Sequence, residues 1–113
     1  MENQAERRQH PRVTLDQQLE FLMGAIKGQG RLTDLSVGGV GLESPQPPLT
    51  LGSKARVSFM VGGKQIETDA LVTRRAGSKK IGLEFVELAP HERFGLEEFI
   101  RYHQQQTQPP GES

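Results

Sequence analysis

The sequence predicts an all-β fold with one helix: about six short antiparallel strands closing into a small barrel, followed by a single C-terminal α-helix. Three observations predict it. The 113 residues include 13 Gly and 7 Pro, together well above the roughly 12% of an average chain, and such punctuation suits many short strands. Apolar and polar residues alternate along most of the chain, the period-two signature of half-buried strands. Only the last apolar stretch has helical spacing, with Leu96, Phe99, Ile100 and His103 at i, i+3, i+4 and i+7.

Residues 1–12 read as a mobile or extended polar arm, with Pro11 disfavouring helix at His10. Val13, Leu15, Leu19 and Phe21 alternate with polar residues on a first strand, in which Gln17 is the one lapse. Gly28-Gln29-Gly30 marks a turn, Arg31 to Leu35 forms a second strand, and Val37-Gly38-Gly39 breaks the chain before a third, Val40 to Glu43. Ser44 to Thr50, with three prolines, reads as a loop. Val57, Phe59 and Val61 alternate on a fourth strand, Gly62-Gly63 signals a two-residue hairpin, and the return strand runs from Lys64 into Val72. After the Ala76-Gly77-Ser78 turn, Ile81, Leu83 and Phe85 alternate on a last strand ending near Leu88. Pro90 suits the first turn of the helix, and Glu92, Glu97 and Glu98 complement its N-terminal side. Barrel and helix are expected over residues 13–103, and the Gln/Pro/Gly-rich residues 104–113 are expected to be a disordered tail, having no apolar surface to offset their ordering entropy.

The composition excludes several function classes. A chain of this length supports one domain with a modest core, and 34% apolar residues is thin but sufficient. There is no Cys, hence no disulfide, thiolate nucleophile or Cys-type zinc site. The 14 basic residues balance the 14 acidic ones, which argues against a general nucleic-acid binder and makes any anion site local. The first residues have no apolar signal-peptide core, and no run is long enough to insert into a membrane, so a cytoplasmic location is expected. His10, His91 and His103 have no metal-ligand spacing, and there is no phosphate loop, nucleophile elbow or oriented base. Neither an enzyme nor a metal protein is expected.

Two local patterns stand out. The first is Arg7-Arg8-Gln9-His10-Pro11-Arg12, in a chain with nine Arg and five Lys. A guanidinium is planar, permanently charged and forked, matching a phosphate or the O6/N7 edge of guanine better than an ammonium does. On an arm, such groups could close over a ligand or remain solvated charges. The second is Asp34-Leu35-Ser36-Val37-Gly38-Gly39, where Asp34 and Ser36 share one side of an extended segment just before a double-Gly break. Asp34 could accept from guanine N1-H and N2-H or orient an Arg, Ser36 could donate, and Gly39 lets backbone approach a flat ligand. A turn that merely shapes the strand connection is the alternative.

In this order and context, RxxxR at Arg8 and Arg12 followed some twenty residues later by DxSxxG at Asp34, Ser36 and Gly39 resembles the paired signature of the PilZ domain. The resemblance covers roughly residues 6–102 and includes Ile81-Gly82-Leu83-Glu84-Phe85, similar to the family's closing strand. It implies a six-stranded antiparallel PilZ-type barrel with a C-terminal helix, and a receptor for cyclic di-GMP. By that resemblance Arg8 and Arg12 would clamp guanine edges and phosphates, while Asp34, Ser36 and the Gly38-Gly39 backbone would hold the other guanine. A basic residue directly ahead of RxxxR, here Arg7, implies an intercalated ligand dimer. Its four negative charges exceed the three arginines of the arm, a deficit that Arg74 or Arg75 could meet as accessory contacts.

Arg74, Arg75, Lys79 and Lys80 flank one turn and read first as solvated charges protecting a strand edge, with a border to the ligand phosphates or a partner contact as the alternatives. The receptor would act as an adaptor, monomeric or weakly dimeric, through an effector protein in motility, biofilm or polysaccharide regulation. Two rival readings remain: a ligand-independent protein-interaction barrel of the same fold, and a single-strand RNA-binding barrel, for which one Tyr and no Trp leave few stacking platforms.

Overall fold

The computed structural model describes residues 11–77 and 79–107, with side chains through Gln104. Six strands, β1 (Val13–Met23), β2 (Ile26–Leu35), β3 (Gly39–Gln46), β4 (Lys54–Val61), β5 (Lys64–Ala76) and β6 (Lys80–Phe85), precede one helix, α1 (Pro90–Thr107). All neighbouring pairs are antiparallel, and the sheet closes in the order β1-β2-β3-β6-β5-β4. Closure removes free sheet edges. Among the described residues no helix is long and apolar enough to cross a membrane.

Alternation places the core. Leu19 and Phe21 of β1, Leu32 of β2, Leu42 of β3, Val57 and Phe59 of β4, Ile66 and Val72 of β5, and Ile81 and Leu83 of β6 all point inward and are buried. Gln17, the lapse in β1, pairs with the inward Leu32 beyond a bulge. Its amide donates to the Met60 carbonyl at 2.6 Å, where β1 and β4 no longer pair.

The Gly62-Gly63 hairpin is as expected. Both residues have positive φ, 53° and 80°, the combination that a two-residue turn between twisted strands requires. The expected turn at Gly28-Gln29-Gly30 is corrected: these residues lie inside β2, and the chain reverses at Gly24-Ala25 instead. A Cβ on Gly28 would overlap the Phe21 ring, and one on Gly30 would stand 3.0 Å from Leu42. These glycines make room for core side chains rather than bend the chain. The third strand likewise outruns its expected end, continuing through Pro45 to Gln46 before the cis Gln46-Pro47 bond.

Pro90 opens α1, and the Glu92 carboxylate accepts from the Ala89 N–H at 3.3 Å, capping the first turn. Leu96 and Ile100 are buried in the core, Phe99 packs beside them, and the His103 ring sits 4.4 Å from that of Phe99. The predicted stripe is the buried face. The helix continues to Thr107, four residues past the expected end of the folded region, and residues 108–113 lie outside the described residues.

Candidate functional site

Antiparallel closure brings the start of β1, the end of β2 and the start of β3 to one end of the barrel. Arg12 directly precedes β1, and Asp34 pairs in register with Thr14 near the end of β2. The two motifs therefore meet. The Arg12 guanidinium donates to Asp34 Oδ1, with the side chains 48% and 23% exposed. Arg7 and Arg8 lie outside the described residues.

The β2–β3 connection gives the remaining motif residues fold duties. The Ser36 N–H donates to the Gly39 carbonyl at 2.9 Å, and the Gly38 N–H donates to Ser36 Oγ at 3.1 Å. Ser36 is only 3% exposed. Gly38 accepts from the Phe85 N–H at 2.9 Å, tying the turn to β6. A Cβ on Gly39 would overlap the Leu83 carbonyl. The turn is thus built by a serine hydroxyl and by close backbone approach, while Asp34 stands beside it on the outer face.

Arg74 and Arg75 separate. Arg75 pairs with Ile81, whose side chain is buried in the barrel, whereas Arg74 pairs with Gly82 beyond a bulge at Thr73. Paired residues project to the same side of a sheet, so Arg74 lies on the outer face with Asp34 and Arg75 does not. Two residues that the motifs do not contain complete this face. Gly41 pairs with Asp34 on one side and Gly82 on the other. A Cβ on Gly41 would stand 2.8 Å from Asp34 Cγ, so the carboxylate lies over that glycine. Gly82 belongs to the closing-strand pattern and Gly41 to none, and it is the register that unites them with Asp34 and Arg74.

A concavity of about 610 Å³ lies elsewhere, bordered by Glu20, Leu22, Lys27, Arg56 and Glu67, and contains none of the motif residues. Among the described residues no cluster of three or more His, Cys, Asp or Glu could hold a metal ion.

A family model described as the PilZ domain matches residues 6–102. Among solved structures, the Bacillus subtilis inhibitor of motility (MotI/DgrA) superposes with a TM-score of 0.80 at 21% identity, covering 91% of this chain and 54% of that one. YcgR from Escherichia coli in complex with c-di-GMP gives 0.71 at 20% identity, covering 88% and 47%. The PilZ domain of CeSA from a cellulose synthesizing bacterium gives 0.62 at 18% identity, covering 83% and 98%. The chain spans about half the length of the MotI/DgrA and YcgR structures it matches. No curated protein sequence matches it. Because the family model spans the RxxxR segment, all six strands and most of the helix, the chain belongs to the PilZ domain family.

Proposed function

We propose that this domain is a cyclic di-GMP receptor that brings its arginine-bearing arm over the ligand and signals through a partner protein. The observation that carries the reading is the Arg12–Asp34 pair, which joins the RxxxR and DxSxxG motifs on one outer face. Family membership and the c-di-GMP complex of the similarly folded YcgR support it.

In this reading Arg8 and Arg12 grip guanine edges and phosphates with bidentate forks, each worth about 1–3 kcal/mol of discrimination. Asp34 exchanges part of its contact with Arg12 for the guanine N1-H and N2-H, remaining charge-compensated throughout. Ser36, Gly38 and Gly39 act chiefly by holding Asp34 and the adjoining backbone in place. Arg7 adds the charge for a second, intercalated ligand. Titration calorimetry with cyclic di-GMP tests the reading: saturable binding by the wild type, weakened about tenfold or more in Arg12→Ala, is expected. No binding by the wild type overturns it, and a one-to-one ratio unaffected by Arg7→Leu removes the dimer.

A ligand-independent interaction barrel is the second reading. The observation favouring it is that Ser36, Gly38 and Gly39 are already used by the fold, so part of the DxSxxG pattern has a structural reason. The same titration separates the two.

A further inference from the structure

We propose that the outward face of α1 is a dimer interface, on which Phe94 of one copy packs against Tyr102 of a second copy of this chain in an antiparallel pair; this is independent of the cyclic di-GMP reading. The chain has six aromatic residues, five Phe and one Tyr. Phe21 and Phe59 are buried, and Phe85 and Phe99 pack against the same core. The other two both lie on α1, Phe94 61% and Tyr102 59% exposed. Large rings contribute most when desolvated, and two on one helix face are unlike hydrophobic residues scattered singly over a surface.

Their spacing makes them one feature. Phe94, Glu98 and Tyr102 stand at i, i+4 and i+8 and form a single ridge along α1. Each is two residues from the buried Leu96 or Ile100, which is roughly 200° around a helix of 3.6 residues per turn. The ridge therefore points away from the barrel. The Tyr102 ring stands edge-on to that of His103 at 6.5 Å, and His103 in turn contacts Phe99, so the outer aromatic is anchored to the packed face.

Sequence and charge identify the occupant. Residues 1–10 and 108–113, which lie outside the described residues, contain no Leu, Ile, Val or aromatic residue with which to cover the stripe. The charges on and beside it are of both signs: Arg101 donates to Glu98 at 2.8 Å, and Arg93 pairs with Glu97 at 3.4 Å. Such a balanced face does not select a strongly acidic or basic partner, but it is complementary to itself turned end for end. With a two-fold axis at Glu98, Phe94 of each copy meets Tyr102 of the other, as an isologous contact requires. The two Glu98–Arg101 pairs then form one neutral cluster in which each guanidinium lies between two carboxylates. Interlocking ridges of this i±4 type cross at about 50°. Helices crossing so diverge within a few turns, leaving the contact below the roughly 800 Å² per partner of a standard interface, and the dimer is weak.

Sedimentation equilibrium of the whole chain tests this, each variant first checked by thermal melting. The wild-type mass is expected to rise from 12.5 kDa toward twice that value, with a dissociation constant on the order of 0.1 mM. Phe94→Ala and Tyr102→Ala are each expected to weaken association at least about tenfold, Tyr102→Phe to keep it within about threefold, and Met60→Ala, exposed on β4, to leave it unchanged. Glu98→Arg alone gathers four cations at the axis and should abolish association, while Glu98→Arg combined with Arg101→Glu restores the balance and recovers it. A wild type that stays monomeric at about 1 mM overturns the proposal and leaves the stripe to a different protein. A dimer undiminished by Phe94→Ala and Tyr102→Ala places the contact elsewhere and overturns it equally. A double variant no better than Glu98→Arg overturns the antiparallel register.

Discussion

Arg12 and Asp34 are held together by a charge-assisted hydrogen bond that links the residue ahead of β1 to the outer face of β2. Both side chains keep contact with solvent, and exposed pairs of this kind contribute only about 0.2–1 kcal/mol to folding. The pair matters more for placement. It fixes one motif guanidinium beside the motif carboxylate, so that in the proposed receptor the ligand would meet part of its site already assembled, which would reduce the ordering cost of binding.

Asp34→Ala should therefore separate stability from binding. Thermal or urea unfolding is expected to change by less than about 1 kcal/mol, while calorimetric affinity for cyclic di-GMP falls at least about tenfold. A variant that unfolds several kcal/mol more easily would instead make Asp34 a structural residue. An unchanged affinity would remove it from the site.

Ser36 behaves in the opposite way. Its hydroxyl accepts the Gly38 N–H within a turn whose serine is buried. Ser36→Ala leaves that N–H without its acceptor, and a loss of about 1–2 kcal/mol in urea unfolding is expected. Binding should decline mainly through the loosened turn, so Ser36→Thr, which keeps the hydroxyl, is expected to recover most of the stability. Equal stability of Ser36→Ala and wild type would show that the hydroxyl is held for the ligand alone.

Two glycines distinguish close approach from conformational need. A methyl on Gly39 meets the Leu83 carbonyl, which is backbone of a core strand and cannot swing aside, whereas a methyl on Gly24, at φ 63°, meets nothing within 4 Å. Gly39→Ala is expected to cost about 1–3 kcal/mol from overpacking, and Gly24→Ala about 1–2 kcal/mol from left-handed backbone strain. Hydrogen exchange tells the two apart. Gly39→Ala should speed exchange across the β3–β6 pairs, and Gly24→Ala only at the β1–β2 hairpin tip.

These contrasts show which parts of the molecule are legible in sequence. The Gly62-Gly63 hairpin and the Leu96, Phe99, Ile100 stripe are local, each set by residues within one turn or a few helical positions, and both are readable directly. Gly28 and Gly30 mislead because their cause is distant: the space they leave is filled by Phe21 and Leu42 from neighbouring strands. The same holds at the site. Arg12, Asp34 and Ser36 stand in recognisable spacings, but the row joining Asp34 to Arg74 depends on two inserted residues and on pairing between strands far apart in the chain. Periodicity carries no record of such register.

The helix supplies the last prediction. Leu96 is fully buried and Ile100 nearly so, both within the core cluster, whereas Phe94 on the same helix is 61% exposed. Leu96→Ala removes apolar volume from a packed interior and is expected to destabilise by about 2–5 kcal/mol, read as a lower urea midpoint with an unchanged slope. Phe94→Ala is expected to stay within about 0.5 kcal/mol of wild type. Since α1 contributes no residue to the outer face that carries Arg12 and Asp34, the fraction of Leu96→Ala that remains folded is expected, in the proposed receptor, to bind cyclic di-GMP with wild-type affinity. A neutral Leu96→Ala would mean that the helix does not seal the barrel, and a Leu96→Ala that stays folded but binds weakly would tie the helix to the ligand face.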